Sequence, residues 1–291
     1  MSPSGEAQWV EVEGRRVRLT NLDRVLYPDG MTKAEVIAYY TAVAPALLRQ
    51  LKGRPVTRVR WPQGIGGERF FEKNVPAGAP DWVRRLRMPA SPGSEDGSVV
   101  EFPFLDDLAG LVWSANQSAL ELHTPQWRVG ADGTATNPDR LVVDLDPGPP
   151  AGLDECAVVA RLVADRLAED GLRTTCPVTS GSKGMQLYAP LDGSLTAMQV
   201  REYARAVAEE LAARHDLVLA TQKRTLRPGK VLLDWSQNHP AKTTVTPYSL
   251  RGRERVAVAA PRTWDEVGPG MTHLSPDEVL RRLETDGDLL G

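Results

Sequence analysis

Three aspartates stand at the ends of apolar segments that predict buried β-strands. Asp144 and Asp146 are separated by one residue in RLVVDLDPG, so their carboxylates share one face of a strand. Asp234 ends a second apolar run, KVLLD. Grouped like charges become favourable when a divalent cation binds between them, whereas a salt bridge or a turn is the structural alternative. Three such carboxylates are what two-metal phosphoryl transfer requires.

A glycine-containing segment, SGSKG at residues 180–184, lies between two predicted strands. Its glycines would let backbone N–H groups converge on an anion, and Lys183 adds positive charge. The segment is not a Walker A loop, because GxxxxGK is absent and a strand follows, so a plain hairpin turn is the alternative. Lys242, Arg251 and Arg253 could bind further phosphate oxygens. Together these residues favour a phosphate-binding site.

The pair Phe70-Phe71 lies among charged residues in RFFEKN. Adjacent residues of a strand face opposite sides, so we expect one of the two rings to be exposed. An exposed ring beside basic residues could stack on a nucleobase, although a ring covered by a loop is the alternative. His123, in LELHTPQW, is either a core histidine or a nucleotide contact.

The charge distribution points to a localised partner. The net charge of −3 argues against an indiscriminate nucleic-acid binder. Basic residues nevertheless cluster at 54–73, 84–87, 223–230 and 251–255, which indicates a phosphate-binding face. The sequence shows no apolar run of about 18 residues and no secretory signal, so we expect a cytoplasmic protein without a membrane span. The cysteines, at 156 and 176, lack metal-ligand spacing.

The N-terminal half predicts several strands and one long helix. Thr32 can cap a helix from Lys33 to about Leu51, because apolar residues recur there at helical spacing. The other predicted elements are a hairpin at 9–19, strands at 55–73 around a glycine-rich turn at 64–67, a surface loop at 89–98, a helix at 104–121 and a linker at 130–139.

The C-terminal half predicts the order β-α-β-β-α-β, which is typical of an RRM-like α+β core. Its elements are a strand through RLVVDLDPG, a helix at 153–170, a strand–turn–strand unit at 176–191, a helix at 196–214 and a strand at 230–236. A short helix at 275–287 follows. The predicted fold class is therefore α+β, with the catalytic sheet packed against an N-terminal α/β part.

Seven motifs, in order and at compatible spacing, resemble the polymerase domain of bacterial ligase D. They are NLDRVLYP, RFFEKN, ALELHTPQW, LVVDLDPG, TSGSKGMQLYAPL, KVLLDWSQN and KTTVTPYSLRGR. That family belongs to the archaeo-eukaryotic primase superfamily, and the resemblance runs from about Val12 to the C-terminus. It implies a primase-polymerase fold. It also implies a template-directed nucleotidyl transferase that extends DNA 3′ ends at gaps or double-strand breaks during end joining.

The resemblance implies a role for each candidate side chain. Asp144, Asp146 and Asp234 would be catalytic and would bind two Mn²⁺ or Mg²⁺ ions. The incoming nucleotide would contact His123, Ser180, Ser182, Lys183, Gln186, Gln237, Lys242, Arg251 and Arg253. The DNA would contact Asn21, Arg24, Lys33, Phe70, Phe71 and Lys73. Within these sets, a ribose 2′-hydroxyl is expected near Ser180, the downstream 5′-phosphate at residues 21, 24 and 33, and template bases on the phenylalanine pair.

Two residues depart from the family pattern. Arg24 stands where lysine is common, and arginine keeps the charge with a different geometry. Gln186, in GMQLY, stands where histidine is usual. Glutamine can donate a hydrogen bond to a phosphate, but it cannot become cationic or transfer a proton near neutral pH. This change could reduce catalysis, or Lys183 and Arg251 could supply the charge instead.

We expect the chain, 1–291, to form a single primase-polymerase domain, with a DNA-end-binding part at about 1–130, a catalytic core at about 139–260 and a helical tail at about 261–291. The sequence has no KxDG-type ligase motif and no phosphoesterase motif. It is therefore either a free-standing polymerase that works with a separate ATP-dependent ligase, or a piece of a longer protein. The expected partners are recessed or gapped DNA ends with a 5′-phosphate, NTP or dNTP, and a Ku-type protein.

Two other functions remain open from the sequence. One is a primase-polymerase for priming or lesion bypass. The predicted 5′-phosphate residues favour gaps and breaks over this function, because priming needs no downstream 5′ end. The other is a non-catalytic module that binds DNA ends, which the glutamine at position 186 leaves open. The three aspartates argue against it, since a pure binder has little physical reason to bury like charges.

Overall fold

The computed structural model describes residues 7–90 and 97–291. Its α-helices are α1 (Lys33–Leu51), α2 (Leu108–Asn116), α3 (Leu153–Glu169), α4 (Ala197–Arg214) and α5 (Pro276–Thr285). The loop predicted at 89–98 falls mostly on residues 91–96, which lie outside the described residues. Within the described ranges, none of the helices is long and apolar enough to cross a membrane.

Within the described residues, the strands form two larger sheets and three two-stranded ribbons. In the first half of the chain they are β1 (Gln8–Val12), β2 (Arg15–Leu19), β3 (Thr57–Arg60), β4 (Phe70–Glu72), β5 (Arg85–Pro89), β6 (Val99–Pro103), β7 (Ala119–Thr124), β8 (Trp127–Val129) and β9 (Ala135–Pro138). In the second half they are β10 (Arg140–Pro147), β11 (Val178–Thr179), β12 (Met185–Pro190), β13 (Val218–Leu219), β14 (Val231–Asp234), β15 (Thr244–Val245) and β16 (Ala260–Pro261). The ribbons are β1–β2, β5–β6 and β8–β9.

The larger sheet has the strand order β13-β14-β10-β12-β11-β16 and is antiparallel apart from the β13–β14 pair. With α3 and α4 it gives the predicted β-α-β-β-α-β order, which confirms the α+β prediction. Leu141, Val143 and Leu145 of β10 pack with α3 and α4 in one apolar core. The alternate residues of β10, at 142, 144 and 146, therefore face the opposite side of the sheet.

The smaller sheet has the order β15-β7-β3-β4 and shares a second apolar core with α1, α2 and α5. Helix α1 begins where the sequence predicts, because Thr32 and Glu35 form a reciprocal capping box at its N-terminus. Its buried residues include Val36, Val43 and Leu47, which recur at helical spacing. Local sequence signals thus define the helix that carries one side of this core.

The two sheets meet over the face of the larger sheet that lies opposite α3 and α4. Val142 of β10 and Tyr188 of β12 pack with Val245 of β15. Strand β15 belongs to the smaller sheet, so that sheet takes one strand from the C-terminal half of the sequence. The contact leaves a cleft between the sheets, beside the end of β10.

Two element predictions are wrong. The helix predicted at 104–121 is shorter in the structure, where α2 spans Leu108–Asn116. It ends there because Ser118 adopts a left-handed conformation (φ 58°) and the chain continues as β7. The predicted linker at 130–139 contains β9, which pairs with β8. Strand β9 has the sequence ATNP. Its asparagine and proline are typical of turns, so the sequence favoured a linker over a strand.

Candidate active site

The three candidate catalytic aspartates lie on neighbouring strands of the larger sheet. Asp144 is on the central strand β10, where it is paired in register with Asp234 of β14 on one side and Gln186 of β12 on the other. Asp146 lies two residues further along β10, on the same face as Asp144. The structure therefore groups the carboxylates, named here the aspartate row, on the face opposite α3 and α4.

Asp144 ionises in unfavourable surroundings. Desolvation is the main cause that raises its pKa to about 7, and the charges of Asp234 and Asp146 add to this effect. A hydrogen bond from Gln186 Nε2 to Asp144 Oδ1 (3.1 Å) acts in the opposite direction but does not compensate. A carboxylate in this position gains from a bound cation, because the cation offsets both the desolvation and the repulsion by like charges.

The other two members of the aspartate row have protein partners. Asp234 accepts hydrogen bonds from Ser236 Oγ (2.6 Å) and Gln237 Nε2 (3.1 Å). The guanidinium of Arg227 forms an ion pair with Asp146. In the described part of the chain, no group of three His, Cys, Asp or Glu side chains already stands arranged to hold a metal ion. The carboxylate oxygens suit Mn²⁺ or Mg²⁺, and a cation would compete with the present partners of Asp146 and Asp234.

The candidate phosphate-binding turn joins β11 to β12. Gly181 has a positive φ of 66°, and a side chain at Gly184 would overlap the carbonyl oxygen of Leu145, so both positions require glycine. The N–H groups of residues 182–184 all point to Ser180 Oγ at 3.3 Å. Because this oxygen accepts those bonds, the hydroxyl proton of Ser180 is left to donate to a ligand in the cleft.

Glu121 of β7 connects three parts of the site, although no motif singled it out. Its Oε1 accepts hydrogen bonds from Arg251 Nε (3.1 Å) and Gly252 N (2.9 Å), and its Oε2 accepts one from His123 Nε2 (2.7 Å). Arg251 in turn donates to the carbonyl oxygen of Ser180 (2.7 Å). Desolvation acts to raise the pKa of Glu121, but the His123 hydrogen bond and the Arg251 charge lower it to about 2. The sequence offered one signal for this role: Glu121 lies two residues before His123 in the same strand, so the two side chains share a face.

Phe70 and Phe71 lie on β4, the edge strand of the smaller sheet. They are 40% and 57% exposed, so both rings are open to solvent where the sequence predicted one. The Phe71 ring stands edge-on to the imidazole of His123, with 6.3 Å between the ring centroids. Lys73 follows the strand directly and is half-buried. The aromatic surface therefore adjoins the cleft at His123.

Asn21, Arg24 and Lys33 come together at the start of α1. Arg24 N donates to Asn21 O (3.1 Å), and Lys33 N donates to Arg24 O (2.8 Å). The Lys33 side chain is buried, and its Nζ donates to Thr20 O (2.7 Å). Desolvation, together with the charges of Arg24 and Arg60, lowers the pKa of Lys33 to about 8. A buried cation among cationic neighbours suits an anionic ligand.

A cavity of about 330 Å³ collects most of the candidate nucleotide-binding residues. Those that line it are His123, Ser180, Ser182, Lys183, Gln186, Gln237, Arg251 and Arg253, and the candidate catalytic residues Asp144 and Asp146 line it as well. Asp234 adjoins it through its register with Asp144. Lys242 is exposed and lies beside the lining residue Thr243 rather than among the lining residues. Carboxylates and a cationic turn that line one cavity suit a triphosphate with metal ions.

This site and fold correspond to a known family. The family model of the LigD primase-polymerase domain matches residues 32–290 of the chain. The chain belongs to the LigD primase-polymerase family. It is therefore a DNA-directed nucleotidyltransferase, as the sequence predicts, and the alternative of a non-catalytic module is set aside.

The curated relatives are LigD proteins. The multifunctional non-homologous end joining DNA repair protein LigD of Mycobacterium tuberculosis is 47% identical over 287 residues, which cover 95% of this chain and 37% of the relative. The bifunctional non-homologous end joining protein LigD of Bacillus subtilis is 34% identical over 277 residues, which cover 94% of this chain and 43% of the relative. The chain thus spans about two fifths of the length of these relatives.

A solved structure of the LigD primase-polymerase family has the same architecture. It is the polymerase domain from Mycobacterium tuberculosis ligase D in complex with DNA, with a TM-score of 0.89 and 46% identity. The match covers 94% of this chain and 96% of that one. This similarity confirms the predicted primase-polymerase fold.

Proposed function

We propose that this protein adds ribonucleotides or deoxyribonucleotides to DNA 3′ ends at gaps or double-strand breaks during end joining, directed by a template strand. The observation that carries the proposal is that Asp144, Asp146 and residues of the turn at 180–184 line the same cavity. Nucleotidyl transfer needs acids that hold cations and a cationic turn that holds phosphates, and both line this cavity.

The aspartate row is the proposed metal centre. Asp144, Asp146 and Asp234 would hold two divalent cations, Mn²⁺ or Mg²⁺. Bound there, the cations would supply Lewis-acid activation of the primer 3′-hydroxyl and would stabilise charge on the triphosphate. The hydrogen bond from Gln186 already orients one oxygen of Asp144. Because Arg227 neutralises Asp146, opening of that ion pair would accompany cation binding.

The turn at residues 180–184 would bind the incoming nucleotide. Lys183 and Arg253 line the cavity and provide positive charge for the triphosphate. Arg251 would act by its charge and by holding the turn, since its guanidinium is bonded to Glu121 and to the Ser180 carbonyl. The Ser180 hydroxyl would donate towards the ribose. The remaining proposed contacts are His123, Ser182, Gln186, Gln237 and Lys242.

The N-terminal part would bind the DNA end. The exposed rings of Phe70 and Phe71 on an edge strand would each offer a face on which an unpaired template base can stack. Lys73 would contact the backbone beside them. Asn21, Arg24 and Lys33 would hold a downstream 5′-phosphate, because they present a buried cation and an arginine at one place. The solved relative in complex with DNA supports this use of the fold.

The names of the relatives support the cellular setting. Because the LigD relatives are named for non-homologous end joining, we place the protein in that process, with a Ku-type protein at the DNA end. An ATP-dependent ligase, separate or joined to this chain, would seal the product. The expected location is the cytoplasm, in association with the nucleoid.

Primer extension on a gapped duplex tests the proposal. The duplex carries a downstream end with or without a 5′-phosphate, and the reactions contain Mn²⁺ or Mg²⁺ with NTP or dNTP. We expect templated addition that is stronger with the 5′-phosphate. Failure to add nucleotides while phosphate-dependent DNA binding persists would contradict the proposal. Synthesis on a template without any primer, at equal efficiency, would favour the priming alternative.

A further inference from the structure

The side chain of Gln186 is held between two groups. It is 4% exposed, its Nε2 donates to Asp144 Oδ1 (3.1 Å), and its Oε1 accepts from the Tyr188 hydroxyl (2.9 Å). An ionised carboxylate only accepts hydrogen bonds, so the amino end of the amide must face Asp144 and the carbonyl end must face Tyr188. A phenol that donates to this carbonyl therefore selects one of the two amide orientations.

Tyr188 is itself fixed in position. It is buried, and its ring lies 5.0 Å from the guanidinium of Arg140. Arg140 is held in turn by Gln126, whose Oε1 accepts from Arg140 Nε (2.7 Å). The other acceptor near the phenol is the carbonyl oxygen of Val245, at the longer distance of 3.5 Å. The packing thus aims the hydroxyl at Gln186.

We propose that Tyr188 is a positioning residue for cation binding: through Gln186 it holds the carboxylate of Asp144 in the orientation that receives the metal ion. This inference rests on the proposed function, because it takes Asp144 as a cation ligand. Without the hydroxyl, the carbonyl of Gln186 loses its partner, so the amide is no longer fixed at both ends and its hydrogen bond orients the Asp144 carboxylate less firmly. Outer hydrogen-bond partners of metal-binding side chains typically change metal affinity by about 10- to 100-fold.

Mn²⁺ binding to the whole chain, measured by isothermal titration calorimetry without DNA or nucleotide, tests the inference. The difference in Mn²⁺ binding between the wild type and Asp144→Ala is the binding that depends on the aspartate row. Tyr188→Phe should raise the Mn²⁺ Kd about five- to tenfold, since it removes one link of the outer hydrogen-bond chain. Tyr39→Phe is the matched control, because Tyr39 is a buried phenol that donates to the carbonyl of Tyr248 (2.8 Å). Its Mn²⁺ Kd should equal that of the wild type.

A double-mutant cycle separates positioning from general destabilisation. In a Gln186→Ala background, Tyr188→Phe should leave the Mn²⁺ Kd unchanged, because the residue through which it acts is gone. Nucleotide addition by Tyr188→Phe alone should recover when Mn²⁺ is raised, whereas a folding defect would persist.

The outcomes separate this inference from the proposed function. Asp144-dependent Mn²⁺ binding that Tyr188→Phe leaves intact would overturn the positioning role only. The same fold-change for Tyr188→Phe with and without Gln186 would overturn it as well. Equal Mn²⁺ binding by the wild type and Asp144→Ala would overturn the proposed metal centre, and the positioning role with it.

Discussion

Glu121 and Asp144 are both desolvated carboxylates beside the same cleft, yet their pKa values are shifted in opposite directions. Desolvation acts to raise both, but Glu121 accepts hydrogen bonds from His123, Arg251 and Gly252, which lower its pKa to about 2. Asp144 has one hydrogen bond from Gln186 and two acidic neighbours, and its pKa is about 7. The protein balances the charge of Glu121 itself, whereas our proposal assigns the balance of the Asp144 charge to a bound cation.

Lys33 is the cationic counterpart of Asp144. It is buried, and desolvation with the charges of Arg24 and Arg60 lowers its pKa to about 8. Asp144 lies beside other carboxylates, and Lys33 lies beside other cationic side chains. The balanced charge of Glu121 orients other side chains, and we propose that the unbalanced charges of Asp144 and Lys33 each bind a ligand of opposite charge.

The largest expected effect is the loss of nucleotide addition in Asp144→Ala. Removing an unbalanced acid removes a metal ligand, so single-turnover primer extension should fall about a thousandfold or more. DNA binding, measured by fluorescence anisotropy, should change less than about twofold, because phosphate contacts supply most of the affinity. Normal extension by this variant would remove Asp144 from the metal centre.

Glu121→Gln should weaken both nucleotide binding and stability. The neutral amide cannot balance Arg251, so we expect a nucleotide KM raised about tenfold and a free energy of unfolding lowered by about 1–3 kcal/mol at pH 7. The folded pKa lies below the unfolded value of 4.5, so the contribution of Glu121 is present above pH 4.5 and is lost as the pH falls towards 2. A stability difference that did not shrink in acid would contradict this.

Asp144→Asn should have the opposite effect on stability. The folded pKa lies above the unfolded value of 3.8, so ionising Asp144 costs stability as the pH rises from 4 to 7. Without divalent cations at pH 8, the free energy of unfolding of the variant should therefore be about 1–2 kcal/mol higher than that of the wild type. Urea titrations followed by fluorescence measure this difference. The gain should vanish near pH 4. Destabilisation at pH 8 would show that Asp144 is balanced like Glu121.

The smallest expected effect concerns Lys33. Lys33→Ala should reduce the preference for a 5′-phosphorylated gap about fivefold, the size of a single charged contact at a partly screened site. Because the ammonium loses its proton as the pH rises through about 8, the wild-type preference should also decline between pH 7 and pH 9. Gap-binding competitions with Lys52→Ala, an exposed lysine, provide the control. Equal weakening on both gaps would remove the phosphate role.

The sequence predicts what depends on neighbours along the chain. Strand alternation places Asp144 and Asp146 on one face, and the Thr32 cap defines the start of α1. It did not reveal the contact between Glu121 and Arg251, because these residues are 130 positions apart and meet only when the sheets pack.

The same limit applies to register and to charge balance. The alignment of Asp144 with Asp234 and Gln186 follows from the pairing of strands that are far apart in the chain. The role of Tyr188 depends on that register, since its hydroxyl meets the amide only in the folded sheet. Whether a buried charge is balanced therefore depends on tertiary contacts. The type of the charged residue, and the face of the strand on which it lies, can be predicted from the local sequence.

A pH titration of the aspartate carboxyl carbons by ¹³C NMR addresses the unbalanced charge of Asp144 most directly. The resonance of Asp144 is identified by its absence from Asp144→Asn, and spectra are recorded with and without Mg²⁺. We expect a midpoint near pH 7 without the cation and a clearly lower midpoint when Mg²⁺ is bound. A midpoint near the ordinary value of 3.8 without cation, or one that Mg²⁺ does not move, would contradict the assignment of this row as a metal centre.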